Sequence, residues 1–399
     1  MLTDAQLAIV KSTVPLLESG GEALTTHFYQ MLMRDYPQVR PLFNRTHQAS
    51  GDQPRALANG VLMYARHIDR LEALGPLAAQ IVNKHVAVQI MPEHYPMVGD
   101  CLLRAIREVL GAEIATDAVI DAWGAAYGQL AEILIGAEKQ QYDQKAAAVG
   151  GWRGARKFIV ARKEAESSEI TSFYFRPQDG GALLDFLPGQ YIGLRMMVDG
   201  EEQRRQYSLS APLVEPGQPP RYRISVKREV GGKVSRQLHD GVAEGDVVEL
   251  FPPSGDFTLA AGDRPLVLIS GGVGITPMLS MLAAALPSGR PVHFIHAARD
   301  GGVHAFRQHV EELAARHPQL RRFFCYERTD TEQSAPQPDA TGRIDRALLQ
   351  SWMPATADVD AYFVGPKPFM KAIKRYLREI GVPDAQSRHE FFGPAAALD

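Results

Sequence analysis

Three groups of residues in this 399-residue chain have the types and spacing that chemistry needs. The first is Leu266-Val267-Leu268-Ile269-Ser270-Gly271-Gly272-Val273-Gly274-Ile275-Thr276-Pro277, an apolar run entering a glycine-rich turn. Such a turn lets backbone N–H groups cradle a phosphate, because glycine permits positive φ and close approach and a helix start favours negative charge. Thr276 is placed to cap the helix and Pro277 to open it. Proline stands where the dinucleotide fingerprint has its third glycine, so taken alone the stretch reads equally as a tight strand-to-helix corner. The second group is Tyr191, Arg205-Gln206-Tyr207-Ser208 and Lys233-Val234-Ser235. An aromatic ring can lie on an isoalloxazine, a guanidinium can pair with pyrophosphate oxygens, and hydroxyls can reach the flavin edge. Without their neighbours, the same residues are ordinary cross-strand pairs on a solvated face. The third group centres on His85, set among the aliphatics of Ile81 to Val88. That imidazole could ligate iron, although a lone histidine is more often simply hydrogen-bonded. Upstream stand Phe28-Tyr29, Phe43, Gln53 and Leu57, the last two one helical turn apart and so on one face. With a histidine opposite, this set makes a gas pocket; without one, it is a core stripe.

The elements that must position these groups change character twice. From Thr3 to about Lys145 nearly everything reads as helix, with a capping box at Thr3 and Gln6, breaks at Gly20-Gly21, Pro37, Pro41 and Pro92, and a further start at Thr116. After Gly150-Gly151, short alternating stretches at Ile170 to Phe175, Tyr191 to Met196, Arg204 to Leu209 and Tyr222 to Val226 predict an antiparallel barrel. From Gly262 onward, strands at Leu266, Val292 to Ala298, Leu320 to Tyr326 and Ala361 to Val364 alternate with helices near Pro277 to Leu286, His304 to Arg316 and Pro368 to Ile380. That order predicts a doubly wound sheet, with Gly271 to Thr276, Arg299 and Gly365-Pro366 lining one nucleotide site at its carboxyl edge.

Composition narrows the classes further. A formal net charge of −3 with mixed signs gives no footprint for nucleic acid or an anionic membrane. The start Met1-Leu2-Thr3-Asp4 lacks a secretory plan, and no apolar run reaches spanning length, so a cytoplasmic protein without an integral membrane segment is expected. Cys101 and Cys325 lie far apart in apolar contexts, which predicts neither a disulfide nor a zinc framework.

The three segments, in this order and over essentially the whole chain, resemble the flavohemoglobin family. The resemblance rests on Phe28-Tyr29, Phe43, Gly51-Asp52-Gln53, Lys84-His85, Glu93-His94-Tyr95-Pro96, Gly150-Gly151-Trp152, Pro188-Gly189-Gln190-Tyr191, Arg205 to Ser208, Gly271 to Pro277 and Glu390-Phe391-Phe392-Gly393-Pro394. It implies an all-α globin over 1–147, an antiparallel β-barrel for FAD over 148–261, and an α/β doubly wound NAD(P)H-binding domain of ferredoxin-reductase type over 262–399. It also implies haem b, FAD and NADH or NADPH as cofactors, and a nitric oxide dioxygenase that turns NO and O₂ into nitrate. His85 would be the iron ligand, with Tyr95 and Glu138 behind it; taken alone, Glu138 is a solvated acid near a helix end. Tyr29 would hydrogen-bond the distal gas ligand, with Gln53 nearby, Phe43 and Leu57 as walls, and Lys84 tuning redox behaviour towards the flavin. Tyr191, Arg205 to Ser208 and Lys233 to Ser235 would hold FAD. Gly271, Gly272, Val273, Gly274, Ile275 and Thr276 would hold the nicotinamide dinucleotide, and Glu390, Phe391, Phe392, Gly393 and Pro394 would close the flavin site. One departure is Val364, where the family usually has cysteine before Gly-Pro. A gas sensor or carrier would leave the reductase without use, and a plain flavin-dependent reductase would leave the globin idle. A monomer, a lipid in the haem pocket and hydroperoxide reduction as a side activity complete the expectations.

Overall fold

The computed structural model describes residues 2–43, 52–328 and 337–392. Its chain divides into two compact units, one formed chiefly by Met1–Ala148 and the other by Ala155–Phe392. Gly51, Gly393 and Pro394 lie outside the described residues, as does the side chain of Asp52.

The first unit is built of helices α1 (Asp4–Ser12), α2 (Val14–Asp35), α3 (Asp52–Arg66), α4 (Gly75–Val88), α5 (His94–Leu110) and α6 (Asp117–Ala147). The capping box forms as expected: Gln6 N donates to Thr3 Oγ1 at 3.2 Å and Thr3 N to Gln6 Oε1 at 2.9 Å. Thr116 caps α6. The break expected at Gly20-Gly21 does not occur, and α2 runs straight through it. Gly21 instead lets α3 come close: a methyl there would lie 3.6 Å from Ala58 Cβ, and the Thr25 hydroxyl reaches Pro54 O at 2.8 Å. Helix α4 ends where Gln89 turns left-handed at φ 63°, its side chain satisfying Val86 O at 2.8 Å. Two apolar clusters fill the unit, one with Phe28, Tyr29 and Trp123, the other with Val82, Val86, Tyr95 and Leu134.

The second unit contains two sheets. In the first, β1 (Arg156–Ala165), β2 (Ile170–Pro177), β3 (Tyr191–Val198), β4 (Glu201–Ser208), β5 (Tyr222–Lys227) and β6 (Val247–Leu250) pair antiparallel in the order β4-β3-β6-β1-β2-β5. A bridge between Leu209 and Ile224 joins the two ends and closes the barrel. Lys233, Val234 and Ser235 open a helix, α7 (Lys233–Gly241), rather than continuing a strand. Gly231 at φ 78° and the extended Gly232 turn the chain into it.

The second sheet is parallel, with β7 (Leu266–Gly271), β8 (Val292–Ala298), β9 (Leu320–Tyr326), β10 (Ala340–Thr341), β11 (Asp360–Val364) and β12 (Ser387–His389) in the order β10-β9-β8-β7-β11-β12. Helices α8 (Ile275–Ala285), α9 (Arg307–Arg316), α10 (Arg346–Trp352) and α11 (Lys367–Ile380) connect the strands. Every residue of β7 and β11 is buried, as a sheet covered on both faces requires. The chain leaves β7 towards β8 and returns on its other side at β11, so the reversal of order falls between those two carboxyl ends. The helix expected from His304 begins only at Arg307, because a 3₁₀ turn at Gly301–Val303 and Phe306 at φ 64° intervene. Both cysteines are free and buried, and burial pushes each thiol up to about 11.

His296 on β8 is buried, with Nδ1 2.8 Å from Ser270 Oγ and its ring centroid 4.3 Å from that of His304. Burial pushes the His296 imidazole down to about 3. A group so depressed is neutral in the fold, so its contribution is fully present above the unfolded value near 6.5 and is lost as pH falls below it. Urea denaturation of this unit should therefore lose about 1 kcal/mol per such histidine between pH 7.5 and 5.5. His296→Gln should flatten that slope, and an unchanged slope would contradict the assignment.

Candidate functional site

Three helices bring His85, Tyr95 and Glu138 together. His85 Nδ1 lies 2.7 Å from Glu138 Oε1, and the Tyr95 hydroxyl donates to the same oxygen at 2.6 Å. Glu138 is only 2% exposed, so it is not the solvated acid that its place near a helix end suggests. A carboxylate this deep needs donors, and these two supply them. Burial, followed by the neighbouring Glu138 charge, holds the Tyr95 hydroxyl far above its usual range. With Nδ1 taken by Glu138, and by Tyr95 at 3.3 Å, the Nε2 edge of a side chain still 33% exposed remains for a metal. Haem iron fits that donor set.

Sequence reasoning missed a further support. The Tyr127 hydroxyl donates to Tyr95 O at 2.7 Å, and its ring lies over Gly99, where a Cβ would stand 2.7 Å from Tyr127 Cε1. No spacing pattern announces either residue.

In the other apolar cluster, the Tyr29 ring meets Phe43 edge-on at 5.7 Å, and half-buried Leu57 packs into the same group. Burial drives the Tyr29 hydroxyl well above its usual range, opposed by a hydrogen bond with Gln53. These four residues are therefore assembled as the sequence suggested. Lys84 is half-buried on α4 beside His85.

In the barrel, Tyr191 and Ser208 stand opposite each other across β3 and β4. Tyr191 is buried, and burial followed by the charges of Glu390 and Asp256 raises its hydroxyl. Gly255 makes room for its ring, since a Cβ there would lie 2.8 Å from Tyr191 Cε1. Ser208 Oγ is buried without a hydrogen-bond partner among the described residues. Arg205 bonds only Arg204 O and Gln203 Oε1, has no carboxylate partner among them, and is held below its usual range by burial. Tyr207 is pushed up by burial, while Gln206 is exposed. An orphaned hydroxyl and an unneutralised guanidinium beside a buried ring fit a flavin with its pyrophosphate. Lys233, Val234 and Ser235 form the first turn of α7, which has no side-chain cap; Ser235 Oγ accepts from Glu229 N at 3.2 Å and closes the turn.

At the parallel sheet, the Gly272–Gly274 turn joins β7 to α8. Gly272 takes φ 56°, and a Cβ on Gly274 would come within 2.3 Å of Val364 O. Gly365 likewise allows Phe369 to pack, its Cβ position being 2.6 Å from Phe369 Cδ1. The ends of β7 and β11 can therefore converge only as glycines. Thr276 does not cap α8; its hydroxyl donates to Val273 O at 3.0 Å from inside the first turn, and Gly274 occupies the cap position. The Ile275 N–H turns back onto Gly272 O and Val273 O, so the turn closes tightly and presents glycine backbone at the helix start, where a phosphate is favoured. Val273 is half-buried and Val364 fully buried. Arg299, expected to line the nucleotide site, pairs with Glu169 on the barrel side and remains half-exposed. In the tail, Glu390 is buried, Phe391 packs partly into the core with Lys367 Nζ 5.9 Å over its ring, and Phe392 is exposed.

A globin-type helical unit followed by a flavin barrel and a dinucleotide sheet defines an oxidoreductase that uses haem, FAD and a nicotinamide dinucleotide. Three family patterns match: globin over residues 26–134, the oxidoreductase FAD-binding domain over 157–259 and the oxidoreductase NAD-binding domain over 268–375. The chain is 68% identical over 399 residues to the flavohemoprotein of Burkholderia sp. (strain TH2), covering 100% of both. It is 67% identical over 399 residues, with the same coverage, to that of Pseudomonas putida. It is also similar to the flavohemoglobin of Malassezia yamatoensis, solved with bound FAD and heme, with a TM-score of 0.82, 26% identity and coverage of 98% and 100%. The FAD/NAD-binding domain of a nitric oxide dioxygenase from Vibrio cholerae matches 61% of this chain and 100% of that one, at 37% identity and a TM-score of 0.54. The chain belongs to the flavohemoprotein family. Among the described residues, no helix is long and apolar enough to cross a membrane.

Two substitutions separate the sites. Glu138→Gln removes the negative acceptor behind His85; it should lower the ferrous iron–histidine stretching frequency in resonance Raman spectra and slow haem turnover about tenfold or more. Gly274→Ala places a methyl against Val364 O and should slow flavin reduction by NADH more than about tenfold with FAD retained, read by stopped-flow absorbance.

Proposed function

We propose that this protein is a nitric oxide dioxygenase, converting NO and O₂ to nitrate at the expense of NADH or NADPH. Residues 1–147 would hold haem b, 148–261 FAD, and 262–399 the dinucleotide. When bound, haem supplies the iron at which the two gases react, and FAD accepts two electrons together and releases them singly. The observation that carries the reading is the shared Glu138 oxygen. It accepts from both His85 and Tyr95, and so keeps the Nδ1 proton of His85 pulled towards a buried negative charge. That gives the imidazole anionic character and makes it a strong electron donor, as oxygen chemistry needs and simple gas carriage does not.

Tyr29 would donate a hydrogen bond to the gas ligand, with Gln53 beside it, while Phe43 and Leu57 would wall the pocket. Lys84 adds a positive charge beside the ligand helix. In the reductase unit, Arg205 and the α7 N-terminus at Lys233 to Ser235 would neutralise the pyrophosphate of FAD, Tyr191 and Tyr207 would supply aromatic surface to it, and Ser208 would offer its hydroxyl. The Gly271 to Thr276 turn seats the second nucleotide, and Glu390, Phe391 and Phe392 cover the flavin.

The test is nitric oxide decay in aerated buffer with NADH and the haem- and FAD-loaded protein. About two nitrates per NADH are expected from the electron count. Tyr29→Phe should reduce this rate at least about tenfold while leaving flavin reduction by NADH intact. NADH oxidation without faster nitric oxide loss would overturn the reading.

A further inference from the structure

We infer that Arg223 is a positioning residue for hydride delivery: its guanidinium locks the turn after β8 onto the barrel and so fixes where the parallel sheet presents its nucleotide. The inference rests on reduction of FAD by the dinucleotide and is independent of the nitric oxide chemistry.

Arg223 lies on β5 and is 7% exposed, yet no carboxylate pairs with it among the described residues. Its Nη2 donates to Ser210 O and its Nε to Ser210 Oγ at 3.1 Å. Ser210 Oγ is in turn 2.8 Å from Ser225 Oγ, which lies 2.8 Å from Ser172 Oγ. The serines anchor the fork to the barrel, and its charge faces aromatic rings. The guanidinium carbon is 5.0 Å from the Phe306 centroid and 5.9 Å from that of Tyr174. Phe306 belongs to the other sheet's side of the seam, where it precedes α9 in the left-handed region at φ 64°. Glu166 feels the Arg223 charge without a direct ion pair, so the buried guanidinium relies on serine oxygens and aromatic rings, and the bulky Phe306 at positive φ is itself costly. Both meet at one contact, although a methionine in place of the arginine would fill the space without burying a charge. Such costs persist where a geometry is held for function.

The turn also explains what the lock controls. Ser168 N and Oγ both reach Gly302 O at 3.0 Å, and Arg299 pairs with Glu169, so the whole turn is held to the barrel beside β2. β8 is in register with β7, Ala297 facing Gly271 at the start of the dinucleotide turn. The far side of the seam is pinned by Gly189 N on Ser280 Oγ at 3.0 Å and Ala260 N on Tyr362 Oη at 2.8 Å. Releasing Arg223 leaves the turn held at its Arg299–Gly302 end but loose at Phe306, where α9 begins, and a displacement of about 1 Å between reacting atoms can cost about a hundredfold.

Anaerobic stopped-flow reduction of the flavin by saturating NADH, in the full chain loaded with FAD, tests this without oxygen or nitric oxide. Arg223→Met and Phe306→Leu should each slow the limiting rate per bound FAD about tenfold, with apparent NADH affinity changed less than about twofold. The double variant should be no slower than either single variant, and deuterated NADH should show a larger isotope effect in all three. Arg223→Lys, which keeps a cation over the ring, should recover part of the rate. If Arg223→Met does not fold, Arg223→Lys and Phe306→Leu carry the same comparison. Unchanged rates, multiplicative losses in the double variant, or losses that follow only FAD content and melting temperature overturn the inference. A wild-type flavin that neither NADH nor NADPH reduces would instead overturn the reading beneath it.

Discussion

A carboxylate taken out of water must be met by donors, and in the helical unit that requirement ties three helices to one atom. Glu138 on α6 draws His85 from α4 and Tyr95 from α5 onto a single oxygen. Because Tyr127, also on α6, holds the Tyr95 backbone, the same helix fixes both the acceptor and one of its donors. The orientation of the imidazole is then a property of helix packing. Any slip of α5 along α6 would break two bonds at once and strand a buried charge.

The reductase unit is governed by a steric constraint. A side chain at Gly274 would run into Val364 O at the end of β11, and one at Gly365 into the Phe369 ring of α11, so both positions must be glycine. The same economy recurs in the barrel, where Gly255 stands under the Tyr191 ring. In each case the functional surface is backbone, with neighbouring side chains supplying charge and shape.

Much of this was legible in the sequence because buried parallel strands read as unbroken apolar runs. Val292–Ala298 and Leu320–Tyr326 were bounded correctly from that signal alone. The errors are local and have physical causes. Gly20-Gly21 looks like a helix breaker, but a glycine inside a helix can equally serve close packing, and only the partner helix decides. Thr276 has the chemistry of a cap yet falls two residues inside the helix, since Gly274 already turns the chain. The pairing of Arg299 with Glu169, 130 residues away in sequence, lay beyond any local pattern. Glu138 was recognised by resemblance; its burial follows from packing between helices that no single-helix periodicity encodes.

The two thiols carry a consequence for survival in a reactive environment. Cys101 and Cys325 are the chain's only cysteines, both are buried, and each is pushed up to about 11. At neutral pH only about one molecule in ten thousand would carry a given thiolate, the form that oxidants and nitrosating agents attack. In a chain that uses haem and FAD, both of which can react with oxygen, the two thiols are therefore poor targets for oxidation.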